Sequence, residues 1–385
     1  MVQSVKKIPP LDLVQQYETI EAEVSAAVLG VLASGNYVGG PLVEGFEQQL
    51  AAYIGVSECV ACNSGTDALY LALRALEIGP GDEVITTSFS FFATAGVISA
   101  VGAKPVFVDI DAQTFNLDIG QVASAITDKT RAIIPVHLFG QPMDMSAMMA
   151  LAQSYQLAVI EDCAQAVGAE WAGRKVGSIG HIGCFSFYPT KNLGACGDGG
   201  AVTTNDPAIT TAIRMLKNHG SQARYIHAEI GINSRLDALQ AAILQIKLRY
   251  LDTWNCQRRE IAARYHHLLR HIPGLLTPQE LTESQGVWHQ YTIRLCQAGQ
   301  EDPGTAHKSR DWVRSHLQER GIMTTVYYPR PLHLQPVYQS LGYQLGQFPV
   351  VEQVCQEVLS LPMFPELSIE QQEQVIYGLK DCLTR

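Results

Sequence analysis

Ser186-Phe-Tyr-Pro-Thr-Lys-Asn-Leu-Gly-Ala-Cys-Gly-Asp-Gly-Gly200 is the stretch that decides how this 385-residue chain is read. It leaves an apolar run, Gly183-Cys-Phe-Ser-Phe-Tyr188, that reads as a buried strand, and it enters a glycine-dense turn. Between the two stands a single lysine, Lys191, five residues after the hydroxyl of Ser186. An ammonium held at a strand end against a crowding-free loop can lose its proton and attack an aldehyde. Gly194, Gly197, Gly199 and Gly200 crowd behind it and imply that backbone passes close to something bulky. A solvated loop lysine is the plain alternative, and the rest of the chain decides between them.

Working outward, strand-like runs alternate with helical ones from about residue 55 to 205. The strands expected are Glu58–Cys62, Glu83–Thr87, Pro105–Asp109, Ala132–Leu138, Ala158–Glu161, Cys184–Phe187 and Ala201–Thr204. Asp67–Leu76 and Met145–Gln153 have helical composition and apolar periodicity. Near-continuous apolar strands between helices imply an α/β fold with a mostly parallel sheet covered on both faces. Ligands in such folds bind beyond the carboxyl ends of the strands. After Asn205 the chain turns helical, with Ser234-Arg-Leu-Asp237 as a capping-box-like start for a long helix. A strand near Gln290–Leu295, a helix over Arg310–Arg320 and a polar loop over Gln297–Lys308 follow.

The length exceeds what one hydrophobic core supports, so a large domain over 1–250 and a smaller α+β domain over 251–385 are expected, the N-terminal segment packing on the smaller one. Hydrophobic residues make up 47% and charged ones 17%, the balance of a well-buried enzyme rather than a disordered chain. A net charge of −10 with no basic cluster argues against nucleic acid or an anionic membrane as partner. The first residues lack an apolar stretch after Lys6 and Lys7, and no apolar run reaches the roughly 20 residues of a membrane span. Nine scattered cysteines suggest no disulfide framework, and Cys59-Val-Ala-Cys62 reads as buried strand rather than a metal site. The compartment expected is the cytoplasm, and no metal-ligand set is read.

Three strand ends carry polar groups suited to a phosphorylated cofactor. Asn63-Ser-Gly-Thr-Asp-Ala68 opens a helix, where Gly65 lets backbone N–H groups and the Thr66 hydroxyl meet a phosphate. Val159-Ile-Glu-Asp162 ends in a carboxylate able to hold a proton on a heterocyclic nitrogen, with the Gln165 amide three residues on. The third end is Ser186 to Lys191. With the aromatic loop Ser88-Phe-Ser-Phe-Phe92, these features together match pyridoxal 5′-phosphate, Lys191 bonding it covalently and Asp162 facing its ring nitrogen.

The chain closely resembles the pyridoxal-phosphate-dependent sugar aminotransferases of the DegT–StrS group, of fold type I. The resemblance runs from Ile8-Pro-Pro-Leu-Asp-Leu13 to Leu361-Pro-Met-Phe-Pro365. It is carried by Ser64-Gly-Thr-Asp-Ala-Leu69, Pro135-Val-His-Leu-Phe-Gly-Gln-Pro142, Glu161-Asp-Cys-Ala-Gln165, the lysine segment and Gly231-Ile-Asn-Ser-Arg-Leu-Asp237. It implies a seven-stranded large domain, Lys191 and Asp162 as catalytic residues, and Gly65, Thr66 and Ser186 on the phosphate. It further implies Gln165 near the ring hydroxyl, Phe91 stacked on the ring, and Asn233 reaching the phosphate from the other subunit of a homodimer with shared sites. Arg235, Tyr328 and His333 become candidate substrate residues, with Arg224 and Arg330 as further positive groups. The implied reaction moves an amino group from L-glutamate to a dTDP- or UDP-linked keto-sugar, at C-3 by subgroup resemblance. Amination at C-4, a sugar dehydratase and a non-catalytic regulatory homologue are the alternatives. Three departures stand out: Tyr327 occupies a position where the family carries histidine, His181 one where an acidic residue is usual, and Cys196 one that is often aromatic or small.

Overall fold

A computed structural model describes residues 7–296 and 309–384. The N-terminal six residues and the polar stretch Gln297–Lys308 lie outside the described residues. The apolar runs form seven strands: β1 (Glu58–Cys62), β2 (Glu83–Thr87), β3 (Lys104–Val108), β4 (Thr130–Ile134), β5 (Ala158–Asp162), β6 (Ile182–Ser186) and β7 (Gly200–Thr204). They assemble in the order β1-β7-β6-β5-β4-β2-β3. All neighbours are parallel except β7, which runs antiparallel to both β1 and β6. Helices α1 (Gly65–Ala75), α2 (Ala93–Ala100) and α3 (Met145–Tyr155) connect the strands. The sheet is buried on both faces: Ile85, Ile133 and Val159 pack into one apolar cluster, and Val60, Ile134 and Ile160 into another.

A 32-residue helix, α4 (Ala238–Leu269), follows the sheet and passes residue 250 without a break. Its first half packs Ala241 and Leu244 into the core around Phe187, and its second half packs Ile261, Tyr265 and Leu269 into a separate core. That second core also contains β8 (Tyr291–Leu295), β9 (Val358–Leu361) and Val313 and Leu317 of α5 (Arg310–Glu319). Ile8 joins it too, its N–H bonded to the Gly321 carbonyl at 2.8 Å.

Ser234 does not begin the long helix as the capping-box reading expects. It is fully buried, donates to Asp67 at 2.7 Å and accepts from the Asn63 amide at 3.1 Å, while Asp237 takes the N-cap position. A tertiary partner with an ionised oxygen outcompetes the helix's own amides for that hydroxyl.

Among the described residues no helix is long and apolar enough to cross a membrane. Cys59 and Cys62 are buried thiols on β1.

Candidate active site

Parallel strands with their carboxyl ends on one edge bring together loops that are far apart in sequence. Here β1, β2, β5 and β6 surround a cavity of about 510 Å³, reached by Gly65, Thr66, Phe91, Asp162, Gln165, Ser186, Lys191 and Tyr328. Lys191 sits one tight turn beyond β6, its N–H bonded to the Tyr188 carbonyl at 2.8 Å. Burial disfavours its ammonium and, although the charge of Asp162 pulls the other way, brings its pKa down to about 8.

At the N-terminus of α1 the Gly65 and Thr66 amides meet no acceptor among the described residues, while Ser64 caps the helix through Asp67 at 3.1 Å. A Cβ on Gly65 would lie 2.6 Å from that of Ser186. Only glycine lets the α1 terminus and the β6 hydroxyl converge, and the result is a donor cradle for a phosphate. Gly65→Ala is expected to weaken pyridoxal phosphate binding at least about tenfold, because the new Cβ pushes the α1 terminus away from Ser186, checked by fluorescence titration of the cofactor-free protein.

Asp162 is 4% exposed. Thr94 donates to its Oδ2 at 2.8 Å and accepts in turn from Ser90 at 2.9 Å, and the Ala164 amide donates to Oδ1 at 3.1 Å. Burial raises its pKa more than these donors and Lys191 lower it, so the carboxylate is short of positive charge and suits a protonated ring nitrogen. Beside it, Glu161 is wholly buried and accepts from His137, Gly177, Ile179 and Gly180. Burial alone would raise Glu161, but the His137 and backbone donors hold it below the usual carboxylate range. This tightly bonded residue anchors the end of β5 and thereby the backbone of Asp162.

Gln165 has its orientation set: Oε1 accepts from the Phe139 amide at 2.6 Å, and Nε2 donates to the Tyr328 hydroxyl at 3.2 Å. Phe89 is buried and Phe92 stacks on Tyr338, so Phe91, 59% exposed, is the ring of that loop offered to the cavity. These residues therefore fit pyridoxal phosphate: an anion cradle, a carboxylate for the ring nitrogen, an aromatic face and an amine of lowered pKa.

Two expectations, a cavity place for His333 and a ligand-accommodating role for the glycines behind Lys191, do not hold. His333 is buried away from the cavity, with Nδ1 on Ser88 at 2.6 Å and Nε2 on Glu352 at 3.2 Å; both ring nitrogens are spent on structure. Asn233 and Arg235 are exposed and do not reach the cavity of their own chain; Arg235 instead borders a small recess with Arg214 and Lys217. The glycines behind Lys191 make room for protein rather than ligand. A Cβ on Gly194 would meet the Pro189 carbonyl at 2.3 Å, and one on Gly200 the Ser64 carbonyl at 2.3 Å.

Arg224 and Arg330 are exposed, Arg224 lying over the Tyr225 ring. His181 serves the fold, its Nδ1 accepting from the Val159 amide at 2.9 Å. Thr94, His289 and Tyr327 reach the cavity without having been expected there. Only Tyr327, next to Tyr328 in the Pro-rich segment, had a local signal.

The class this arrangement defines is that of the aminotransferases. The chain belongs to the DegT/DnrJ/EryC1/StrS aminotransferase family, whose pattern it matches over residues 18–380. It is 50% identical to a "Pleiotropic regulatory protein" of Geobacillus stearothermophilus, over 96% of each chain. It is 45% identical to a dTDP-3-amino-3,4,6-trideoxy-alpha-D-glucose transaminase of Streptomyces venezuelae, over 98% of this chain and 97% of that one. Its structure superposes on that of NtdA from Bacillus subtilis, solved with bound cofactor PMP, with a TM-score of 0.90 and 31% identity. That match covers 100% of this chain and 87% of the other.

Proposed function

We propose that this aminotransferase moves an amino group from L-glutamate to C-3 of a nucleotide-linked keto-sugar. The observation that carries the reading is the convergence of Lys191, Asp162 and the Gly65–Thr66–Ser186 cradle in one cavity. Transamination of a nucleotide sugar is the reaction named for the Streptomyces venezuelae relative, and the 3-amino position in that name supports C-3.

When bound, pyridoxal phosphate supplies an aldehyde that bonds amines and a ring that takes up the electrons released at the donor's α-carbon. Gly65, Thr66 and Ser186 hold the phosphate, and Asp162 holds a proton on the ring nitrogen. Gln165, fixed by Phe139 and Tyr328, has one amide proton left for the ring hydroxyl. Lys191, with its amine free, would serve as the base that takes the proton from the donor α-carbon and as the acid that gives it back. A pKa of about 8 leaves an appreciable neutral fraction near pH 7 to 8, so this step strengthens as pH rises through that value.

Single-turnover reaction of the pyridoxamine form with a panel of 3-keto and 4-keto nucleotide sugars tests the reading. Faster amination of 3-keto substrates supports it; preference for 4-keto substrates overturns the C-3 assignment. The name of the Geobacillus relative favours a regulatory role as a second reading, and failure to aminate any sugar while binding cofactor would favour it.

The active unit in this reading is a homodimer in which Asn233 completes the partner's phosphate site. Its exposure and its distance from its own cavity support that role. Lys191→Ala and a bulky Asn233 variant, each inactive alone, are expected to regain up to about half of the wild-type activity as purified heterodimers, because one of two sites is intact. Dead heterodimers, alongside active Lys191→Ala/wild-type ones, would return Asn233 to its own chain.

A further inference from the structure

Two hydroxyls stand behind Asp162, and the direction of the protons between them is fixed from the carboxylate end. An ionised carboxylate only accepts, so the Thr94 hydroxyl gives its single proton to Oδ2 at 2.8 Å. Toward Ser90, 2.9 Å away, Thr94 can then only accept, and Ser90 must donate. The result is a directed chain, Ser90 to Thr94 to Asp162, in which each donor polarises the next. The Ala164 amide holds the other oxygen, Oδ1, at 3.1 Å.

This chain is not an ordinary helix cap. Ser90 and Thr94 flank the start of α2, yet that helix has Phe92 at its N-cap and no side-chain cap bond. Both hydroxyl residues are buried, 4% and 1% exposed, and both line the same cavity as Lys191. A serine just before a helix commonly serves the helix's free amides. Here its proton goes to a side chain whose own proton goes to Asp162. Burial raises the Asp162 carboxyl, and the Thr94 bond is the largest influence opposing that rise.

We propose that Thr94, oriented by Ser90, is a positioning residue that decides where the proton shared by Asp162 and the cofactor's ring nitrogen rests. With the chain intact, a donor already occupies Oδ2 and favours the charged carboxylate, so the proton stays on nitrogen as an N–H⁺. With the chain cut, the carboxylate is a stronger base, and the same proton shifts toward oxygen. What remains is a neutral ring nitrogen beside a neutral acid, and no other proton enters or leaves. This role rests on Asp162 facing the ring nitrogen, as in the function proposed above, and the variants below tell the two apart.

The test is the solid-state ¹⁵N spectrum of holoenzyme reconstituted with pyridoxal 5′-phosphate labelled at the ring nitrogen, recorded at one pH throughout. Wild type is expected to show a protonated ring nitrogen. Thr94→Val should move the signal toward the unprotonated position, and Thr94→Ser, which returns the hydroxyl, should bring it back. Ser90→Ala should move it the same way by a smaller amount, and it carries the test alone if Thr94→Val does not fold. Asp162→Asn is the reference for a ring nitrogen without its carboxylate.

Suppose that Asp162→Asn moves the signal while Thr94→Val and Ser90→Ala leave it at the wild-type position. The hydroxyl chain then has no hold on the proton and the proposal is overturned, while Asp162 keeps its place. A signal unmoved in Asp162→Asn would mean that Asp162 does not face the ring, and both would fall.

Discussion

Lys191→Ala is expected to lower turnover by at least about 10⁴-fold, the upper range for losing a positioned acid–base group, while cofactor binding persists. Binding is expected to survive because the cradle proposed for the cofactor, Gly65, Thr66, Ser186 and Asp162, does not involve the lysine side chain. Steady-state assay with L-glutamate and a keto-sugar nucleotide, alongside fluorescence titration with pyridoxal phosphate, checks both halves. Ordinary multiple turnover by the variant would remove Lys191 from the mechanism. Loss of binding together with turnover would mean that the covalent bond, not the cradle, retains the cofactor.

Asp162→Asn is expected to keep the cofactor yet lose about 100-fold in rate, roughly 3 kcal/mol, the scale for removing one electrostatic partner of a developing charge. Asparagine fills the same space, but it cannot neutralise a protonated ring nitrogen. It also confronts the Thr94 hydroxyl and the Ala164 amide, two donors, with a single acceptor oxygen. Some of the loss therefore reflects misorientation. Thr94→Val, which removes a donor and spares the charge, separates the two contributions. A rate for Asp162→Asn within twofold of wild type would leave this carboxylate a local capping role.

The sheet was legible because its strands are short apolar runs buried on both faces. Glu58–Cys62 and Glu83–Thr87 appear with the expected bounds, and the other five shift by a few residues at their ends. The cavity residues were legible for the same reason: Gly65, Asp162, Ser186 and Lys191 each follow a recognisable strand end. Thr94 carries no such signal, because it meets Asp162 only once the fold brings the start of α2 to the carboxyl end of β5, 68 positions away. His289 reaches the cavity from 97 positions beyond Asn192, and nothing in its flanks distinguishes it from a core histidine. Ser234 and His333 failed for the opposite reason. Their local patterns were suggestive, but buried partners, Asp67 for one and Ser88 with Glu352 for the other, had the stronger claim.

The unbroken run of α4 through two apolar cores also governs how the molecule comes apart. Ala241 and Leu244 are enclosed on one side, Ile261, Tyr265 and Leu269 on the other, and the same backbone hydrogen-bond ladder joins them. Melting the C-terminal core would strip the later turns of that helix of their packing. Fraying would then spread toward the earlier turns, whose Lys247 ammonium donates at 2.8 Å to the Gly194 carbonyl of the lysine loop. Heat should therefore act on the two cores as one cooperative body, and Lys191 should lose its setting in the same transition that dissolves a core it never touches.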